Sequence, residues 1–269
     1  MPTFAHEYRM SIMNNQLNHL NMNRLLFIPI LIFVLMLSCT AETIARPYIR
    51  VLVITGGHAY DKSSFKGMLD SLGKNIDCKV AEFPAAFDQF LPLNRKNYDV
   101  LVFYHMWQKI SPEQEETLAD CIRDGKPLVV LHHSICAFDD WPEYQRITGG
   151  RYFHKPTVID GKEYPACTFI HDLHFRVEVS AKKHPVTKGV RDFDIFDETY
   201  KGYYTNPEIE PLLTTKEKSS TPVIGWAWHY GNARVVTLQS GHDTPTYRNK
   251  NFRKLLRQAI EWSYSGRKL

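Results

Sequence analysis

Several signatures are missing from this 269-residue chain, and each absence removes a class of function. Neither GxGxxG nor GxxxxGK occurs, so there is no dinucleotide fingerprint and no phosphate loop. HExxH is absent too, which sets aside the zinc helix of metalloproteases. Cysteine is scarce: Cys39, Cys78, Cys121, Cys136 and Cys167 stand at spacings that fit no zinc or redox motif. A chain of this length needs no disulfide framework, so buried free thiols are the expectation for the last four. Charge is nearly balanced, 33 Lys and Arg against 29 Asp and Glu, without a basic cluster, so no nucleic-acid partner is expected. No repeat, low-complexity tract or linker divides the chain after its start, and residues 46–269 read as one domain.

A long apolar run is lacking as well. The longest, Leu25 to Leu37, has 13 residues, short of the roughly 20 that a bilayer requires. Arg24 precedes it and Ser38-Cys39 follows, the order of a secretory signal, so residues 1–45 read as a leader and short linker. Met22 is an alternative initiator that would make residues 1–21 an upstream extension. Met36-Leu37-Ser38-Cys39 is a loose bacterial lipobox, so the expectation is lipidation at Cys39 and an exported lipoprotein, periplasmic or held at the membrane. The alternatives are soluble secretion by cleavage at Thr43-Ile44-Ala45 and an uncleaved anchor. The membrane would be met only through the N-terminal lipid.

What the chain does contain is an alternation of buried strands and amphipathic helices. Ile49 to Ile54 is a continuous apolar strand that runs into Thr55-Gly56-Gly57-His58. A helix is expected from Ser63, with Phe65, Met68, Leu69 and Leu72 on one face and Gly73 closing it. Cys78 to Phe83 is a second strand, and Tyr98 to Tyr104 a third that ends at His105-Met106-Trp107. Ser111, Pro112 and Gln114 spell the start of a helix with a capping box, with Leu118, Cys121 and Ile122 as its buried stripe. The strand LVVL stops abruptly at His132-His133. From Thr148 to about Thr214 only short strand candidates are visible. Val223 to Tyr230, Gly231-Asn232 and Ala233 to Gln239 then form a hairpin, and Phe252, Leu255, Leu256 and Ala259 line a final helix. The pattern predicts an α/β protein, a parallel sheet with helices on both faces.

Ligands of such sheets bind beyond the carboxyl ends of the strands, where this chain delivers His58, His105, His132-His133 and His242. Four strands bringing histidine to one edge predicts a functional cleft there. Adjacent strand residues face opposite ways, so one of His132 and His133 should line the cleft and the other brace the backbone. Gly56-Gly57 allows a sharp turn and a close approach of main chain to ligand. His171 and His174, in HDLH, read as structural or surface residues. Asp197-Glu198-Thr199-Tyr200 reads equally as a base or metal ligand and as a solvated strand end. Cys136 has no glycine-flanked elbow and is not expected to be a nucleophile.

The segments VLVITGGHAYD, LVVLHHS, GG-R-Y-F-H, KKHPVTKGVRDFDIFDETY and ARVVTLQSGH, in this order, resemble the trehalose-utilisation or ThuA-like family over residues 49–263. The resemblance implies a flavodoxin-like, class I glutamine amidotransferase-like fold, a mostly parallel sheet with helices on both faces, in which the nucleophilic cysteine has been lost. It places His132 where that cysteine would stand. It maps the family motifs onto Gly56, Gly57 and His58, onto His184-Pro185, onto Asp197, Glu198 and Tyr200, and onto Gly241-His242; His133 matches a position often held by a small residue. The family is associated with trehalose and other disaccharides, beside oxidoreductases that make 3-keto sugars.

The expected function is acid-base chemistry on a disaccharide or 3-keto-glycoside, as a lyase, hydrolase or isomerase. The expected catalytic residues are His58, His132, Glu198 and His242. Gly57, His105, Trp107, His133, Asp197 and Tyr200 are expected to bind the small-molecule carbohydrate. A divalent metal ion would find candidate ligands in His58, His132 and His242. Trp107, Trp141, Trp226 and Trp228 serve as stacking faces or as core. The rival readings are a non-catalytic sugar-binding lipoprotein with the same cleft and a cysteine amidotransferase or hydrolase. Homo-oligomerisation stays open.

Overall fold

The strands LVVL, VLVFYH and IRVLVITG are apolar at nearly every position because both of their faces are covered. The computed structural model describes residues 47–266; the leader, Cys39 and the alternative cleavage points lie outside them. In chain order the elements are β1 (Ile49–Gly56), α1 (Lys62–Asp70), β2 (Ile76–Glu82), β3 (Val100–His105), α2 (Pro112–Arg123), β4 (Leu128–Leu131), α3 (Pro142–Thr148), β5 (Gly150–Arg151), β6 (Thr157–Ile159) and β7 (Lys162–Tyr164). They continue with β8 (Thr168–Val179), β9 (Phe193–Lys201), β10 (Tyr204–Thr205), β11 (Glu210–Thr214), β12 (Val223–Tyr230), β13 (Ala233–Leu238), α4 (Thr244–Arg248) and α5 (Lys250–Ser265).

Among the described residues nine strands join in one sheet, in the order β2-β1-β3-β4-β13-β12-β11-β8-β9. The five strands from β2 to β13 are mutually parallel, and the four from β12 to β9 extend the sheet antiparallel. Strand alternation splits the core in two. Val51, Val53, Val100, Val102, Val129, Leu131 and Val236 pack with α1 and α5. Leu52, Ile54, Leu101, Phe103, Leu128, Val130 and Val235 pack on the other face with α2 and α3.

The helix starts follow their sequence signals. Asp61 caps α1 by accepting from the Ser64 backbone N–H, and Asn249 caps α5. At α2 the Ser111–Gln114 capping box forms, with Pro112 in the first turn. The middle of the chain departs from expectation. Instead of short strands only, β8 runs for 12 residues and β9 for nine. Most of β8 before Phe175 is exposed, so it carries no apolar alternation to read. Its pairing with β9 is further broken between Ile170 and Leu173, where Asp172 takes a left-handed φ of 59°. No helix among the described residues is long and apolar enough to cross a membrane.

Leu256 on α5 is fully buried against the parallel half of the sheet. Leu256→Ala should lower the unfolding free energy by about 2–5 kcal/mol, read as a lower urea midpoint at unchanged slope. A loss below about 0.5 kcal/mol would mean that α5 does not anchor this core.

Candidate functional site

Three of the parallel strands, β1, β4 and β13, each lead into a histidine at the same edge. After β1 the chain turns through Gly56 and Gly57, with φ of 128° and 75°. A Cβ on Gly57 would stand 1.8 Å from the Met106 carbonyl oxygen, so only glycine lets His58 approach. After β4, His132 opens a short 3-10 turn, His132–Cys136, with a left-handed φ of 50°. The two histidines are therefore in a turn and not on the strand, and strand alternation does not separate them: their ring centroids lie 5.2 Å apart. After β13 the chain passes through Gln239 and Gly241 to His242.

The antiparallel extension completes the site. By pairing, β9 is the far edge strand of the sheet. Yet Asp197 accepts from the Gly241 and His242 backbone N–H groups at 2.8 and 2.9 Å, and the Gln239 side-chain amide donates to the Glu198 carbonyl. The extension thus curls back over the carboxyl ends of β4 and β13. It carries Glu198 to 2.9 Å from His132 Nε2 and 3.2 Å from His242 Nδ1, through one carboxylate oxygen. The other oxygen lies 3.4 Å from His171 Nδ1. Tyr200 stacks on His132 at 4.9 Å, with its hydroxyl 2.9 Å from Nε2. Among the described residues, His132, Glu198 and His242 form the group whose donor atoms lie close enough to hold a metal ion.

The electrostatics follow from this packing. Burial raises the Glu198 carboxyl, but its hydrogen bonds to His132 and His242 outweigh that and hold it well below the usual range, so it is ionised. The hydrogen bond to Glu198 raises His242. Burial lowers His58, and the neighbouring His132 lowers it further, so His58 is neutral at pH 7. Tyr200 is pushed well up, first by burial and then by the Glu198 charge, and stays a hydroxyl donor.

Glu198, Tyr200, His58 and His171 line a cavity of about 140 Å³ together with Trp107 and Phe169. A larger hollow of about 440 Å³ lies at the amino ends of the strands, lined by Arg50, Asp77 and Lys79. Arg50 there is already paired with Asp99 at 2.9 Å, and none of the strand-end histidines reaches it, so the smaller cavity is the candidate site.

A family model described as trehalose utilisation, ThuA, matches residues 50–263. The chain belongs to the ThuA family. Its structure is similar to a ThuA-like protein from Parabacteroides merdae, at a TM-score of 0.66 and 22% identity over 83% of this chain and 93% of that one. It is also similar to a ThuA-like protein from Bacteroides uniformis, at 0.63 and 18% over 83% and 94%. PurLQS from Thermotoga maritima follows at 0.51 and 13% over 81% and 99%. These likenesses carry the fold, a mixed α/β sheet of the glutamine amidotransferase-like kind. A comparison with curated proteins gave no match.

Within this ThuA chain the expected site residues divide. His132, Glu198, His242, Asp197 and Tyr200 form one cluster, with the His58 ring edge-on to His242 at 5.8 Å. His58 does not belong to the group that could hold a metal. His133 is buried behind the cleft, stacked on His58 at 4.6 Å and packed at a tilt against Tyr104 at 4.4 Å. His105 is not brought to the cleft. Strand alternation turns it into the opposite core, fully buried among Phe83, Phe103 and Phe138 at 4.7–5.2 Å. Trp107 stands 56% exposed at the cavity, whereas Trp141 and Trp226 are core and Trp228 bonds the Arg146 carbonyl.

Sequence reasoning missed His171, whose HxxH spacing carries little weight and which only the β8 irregularity sets beside Glu198. It also singled out neither Tyr152 nor His154, which line the cavity; His154 accepts from the Trp107 indole N–H at 2.6 Å. Cys136 does border the cavity, but its thiol donates to the His133 carbonyl and burial pushes its pKa well up, which suits a thiol and not a thiolate nucleophile.

His105 has a measurable consequence. Burial lowers its pKa to about 3, from 6.5. The unfolded chain therefore binds a proton below pH 6.5 that the folded chain refuses until about pH 3, and stability falls as pH falls across that window. The slope from this group approaches about 1.4 kcal/mol per pH unit. Urea unfolding of His105→Leu between pH 7 and 5 should show a slope shallower by about that amount. An unchanged slope would mean that His105 is solvated or paired.

Proposed function

We propose that this ThuA-family protein is an exported enzyme of carbohydrate metabolism that removes a proton beside the ketone of an oxidised sugar ring. The observation that carries the reading is a buried, ionised Glu198 bridging His132 and His242 on the same cavity as a neutral His58 and the exposed ring of Trp107. Family membership supports the carbohydrate class. The apolar run Leu25–Leu37 and Ser38-Cys39 support export and a lipid anchor.

The cavity's 140 Å³ is on the scale of one six-membered ring, since about 150 Å³ holds benzene. Trp107 and Phe169, 56% and 54% exposed, offer apolar faces to the C–H face of a pyranose or to a second ring. A ketone at carbon 3 acidifies the neighbouring C–H. His58 is neutral and lines the cavity, so its imidazole is the group to accept that proton. The electron pair passes to the ketone oxygen, and the Tyr200 hydroxyl and the raised His242 donate to the oxyanion. Expulsion of the glycosidic oxygen, protonated by the imidazolium of His58, gives cleavage; return of the proton gives exchange or isomerisation. A sugar-binding module would have an aromatic platform without acid or base in reach; here both share one cavity, which favours the enzyme.

The test is proton NMR of the purified chain with a methyl 3-keto-glucoside in D₂O. Deuterium should enter carbon 2, or methanol should be released, and His58→Ala should slow this by about 10²–10⁴-fold. Trp107→Ala should raise KM more than it lowers kcat. Ligand line broadening without exchange or release would replace the enzyme reading by the binding one, and full activity in His58→Ala would remove His58 as the base.

A further inference from the structure

His132 Nε2, Glu198 Oε2 and His242 Nδ1 form a triangle with sides of 2.9, 3.2 and 3.2 Å. Each of the three is a metal-donor type, an imidazole nitrogen or a carboxylate oxygen. The Gln239 carbonyl can only accept, so His132 Nδ1, 2.7 Å from that oxygen, is the donor nitrogen, and Nε2 is the one directed at the triangle. Glu198 is a carboxylate, and His242 turns Nδ1 toward the same point. The Tyr200 hydroxyl can bring one proton to His132 Nε2. Two imidazole nitrogens and a carboxylate oxygen meeting this closely point to a positive centre among them, a proton or a cation.

We infer that this centre is a divalent transition-metal ion held by His132, Glu198 and His242. Ligands about 2.1 Å from a metal stand about 3.0 Å apart in an octahedron and about 3.4 Å apart in a tetrahedron; two of the three sides fall in that interval and the third, 2.9 Å, lies just below it. Two imidazole nitrogens with one carboxylate suit zinc, iron or manganese, whereas magnesium and calcium prefer all-oxygen shells.

The supports around the three ligands match those of metal sites. His132 Nδ1 is fixed by a backbone carbonyl. Asp197 holds the backbone on which His242 stands. Glu198 is tied through its carbonyl to Gln239 and through its second oxygen to His171. Three protein ligands leave positions open, as in catalytic sites, and Glu198 and Tyr200 also line the cavity. A ligand with a carbonyl or a pair of hydroxyl oxygens would enter there. The metal assignment stands on the donor set alone and is independent of the sugar chemistry proposed above.

The purified protein, stripped with a chelator and desalted, would be titrated calorimetrically with Zn²⁺, Mn²⁺ and Mg²⁺, with no sugar present. The expected result is one transition ion per chain, bound at least 100-fold more tightly than Mg²⁺. Glu198→Gln and His242→Asn should each weaken binding by at least about 100-fold. His174→Ala, a histidine outside the cluster on the face of Phe196, should leave it unchanged. The visible spectrum of Co²⁺ added to the unaltered chain should shift from that of the aquo ion, a readout that needs no variant to fold. An unshifted spectrum with no transition-ion binding, or equal affinity in folded Glu198→Gln and His242→Asn, would overturn the assignment. Metal bound as expected without turnover of the keto-sugar would leave the metal site standing and remove only the sugar reading.

Discussion

An ionised carboxylate cannot be buried alone, because the energy lost on leaving water must be returned by charge or hydrogen bonds at the same place. Glu198 is 4% exposed, and the molecule is arranged around meeting that demand. One oxygen takes His132 and His242, from the ends of two adjacent parallel strands; the other faces His171 from β8. The residue before it, Asp197, accepts two backbone N–H groups from the Gly241–His242 loop. Two consecutive carboxylates thus tie the far edge of the sheet to the loop after β13. The antiparallel extension closes the site and carries the Glu198 charge to the histidines that compensate it.

The same arrangement explains what a reader of the sequence sees and misses. The parallel half is legible because β1, β3 and β4 are apolar on both faces and their helices announce themselves through Ser111, Pro112 and Gln114 or through Phe65, Met68 and Leu69. His58, His132 and His242 are legible for the same reason, since they follow apolar strands at the edge where ligands of such sheets bind. His171 is not legible. It sits in an exposed stretch of β8 with no periodicity, and only the shift in register beside Asp172 turns it toward Glu198. His105 misleads in the opposite way: it ends a strand like the others, but its position places it on the phenylalanine face. One residue decides, because strand direction alternates with period two.

His132 carries the largest consequence of local geometry. A non-glycine residue at φ 50° is strained, and the turn persists because Ser134 pins the end of β3, accepting from the His105 N–H and donating to the His105 carbonyl. A sharp strand-to-turn elbow of this kind projects one side chain above the sheet. With a cysteine there, the projected atom could be a thiolate attacking a carbonyl. With histidine, the projected atom is a ring nitrogen whose opposite nitrogen is fixed by the Gln239 carbonyl, a group that can accept a proton, donate one or bind a cation. The nearby Cys136 supplies no thiolate, because burial pushes its pKa well up. An elbow that presents a histidine suits acid-base or metal-assisted work and not covalent attack by a thiolate. The carboxylate that such work requires arrives from the part of the sheet that curls back over the elbow.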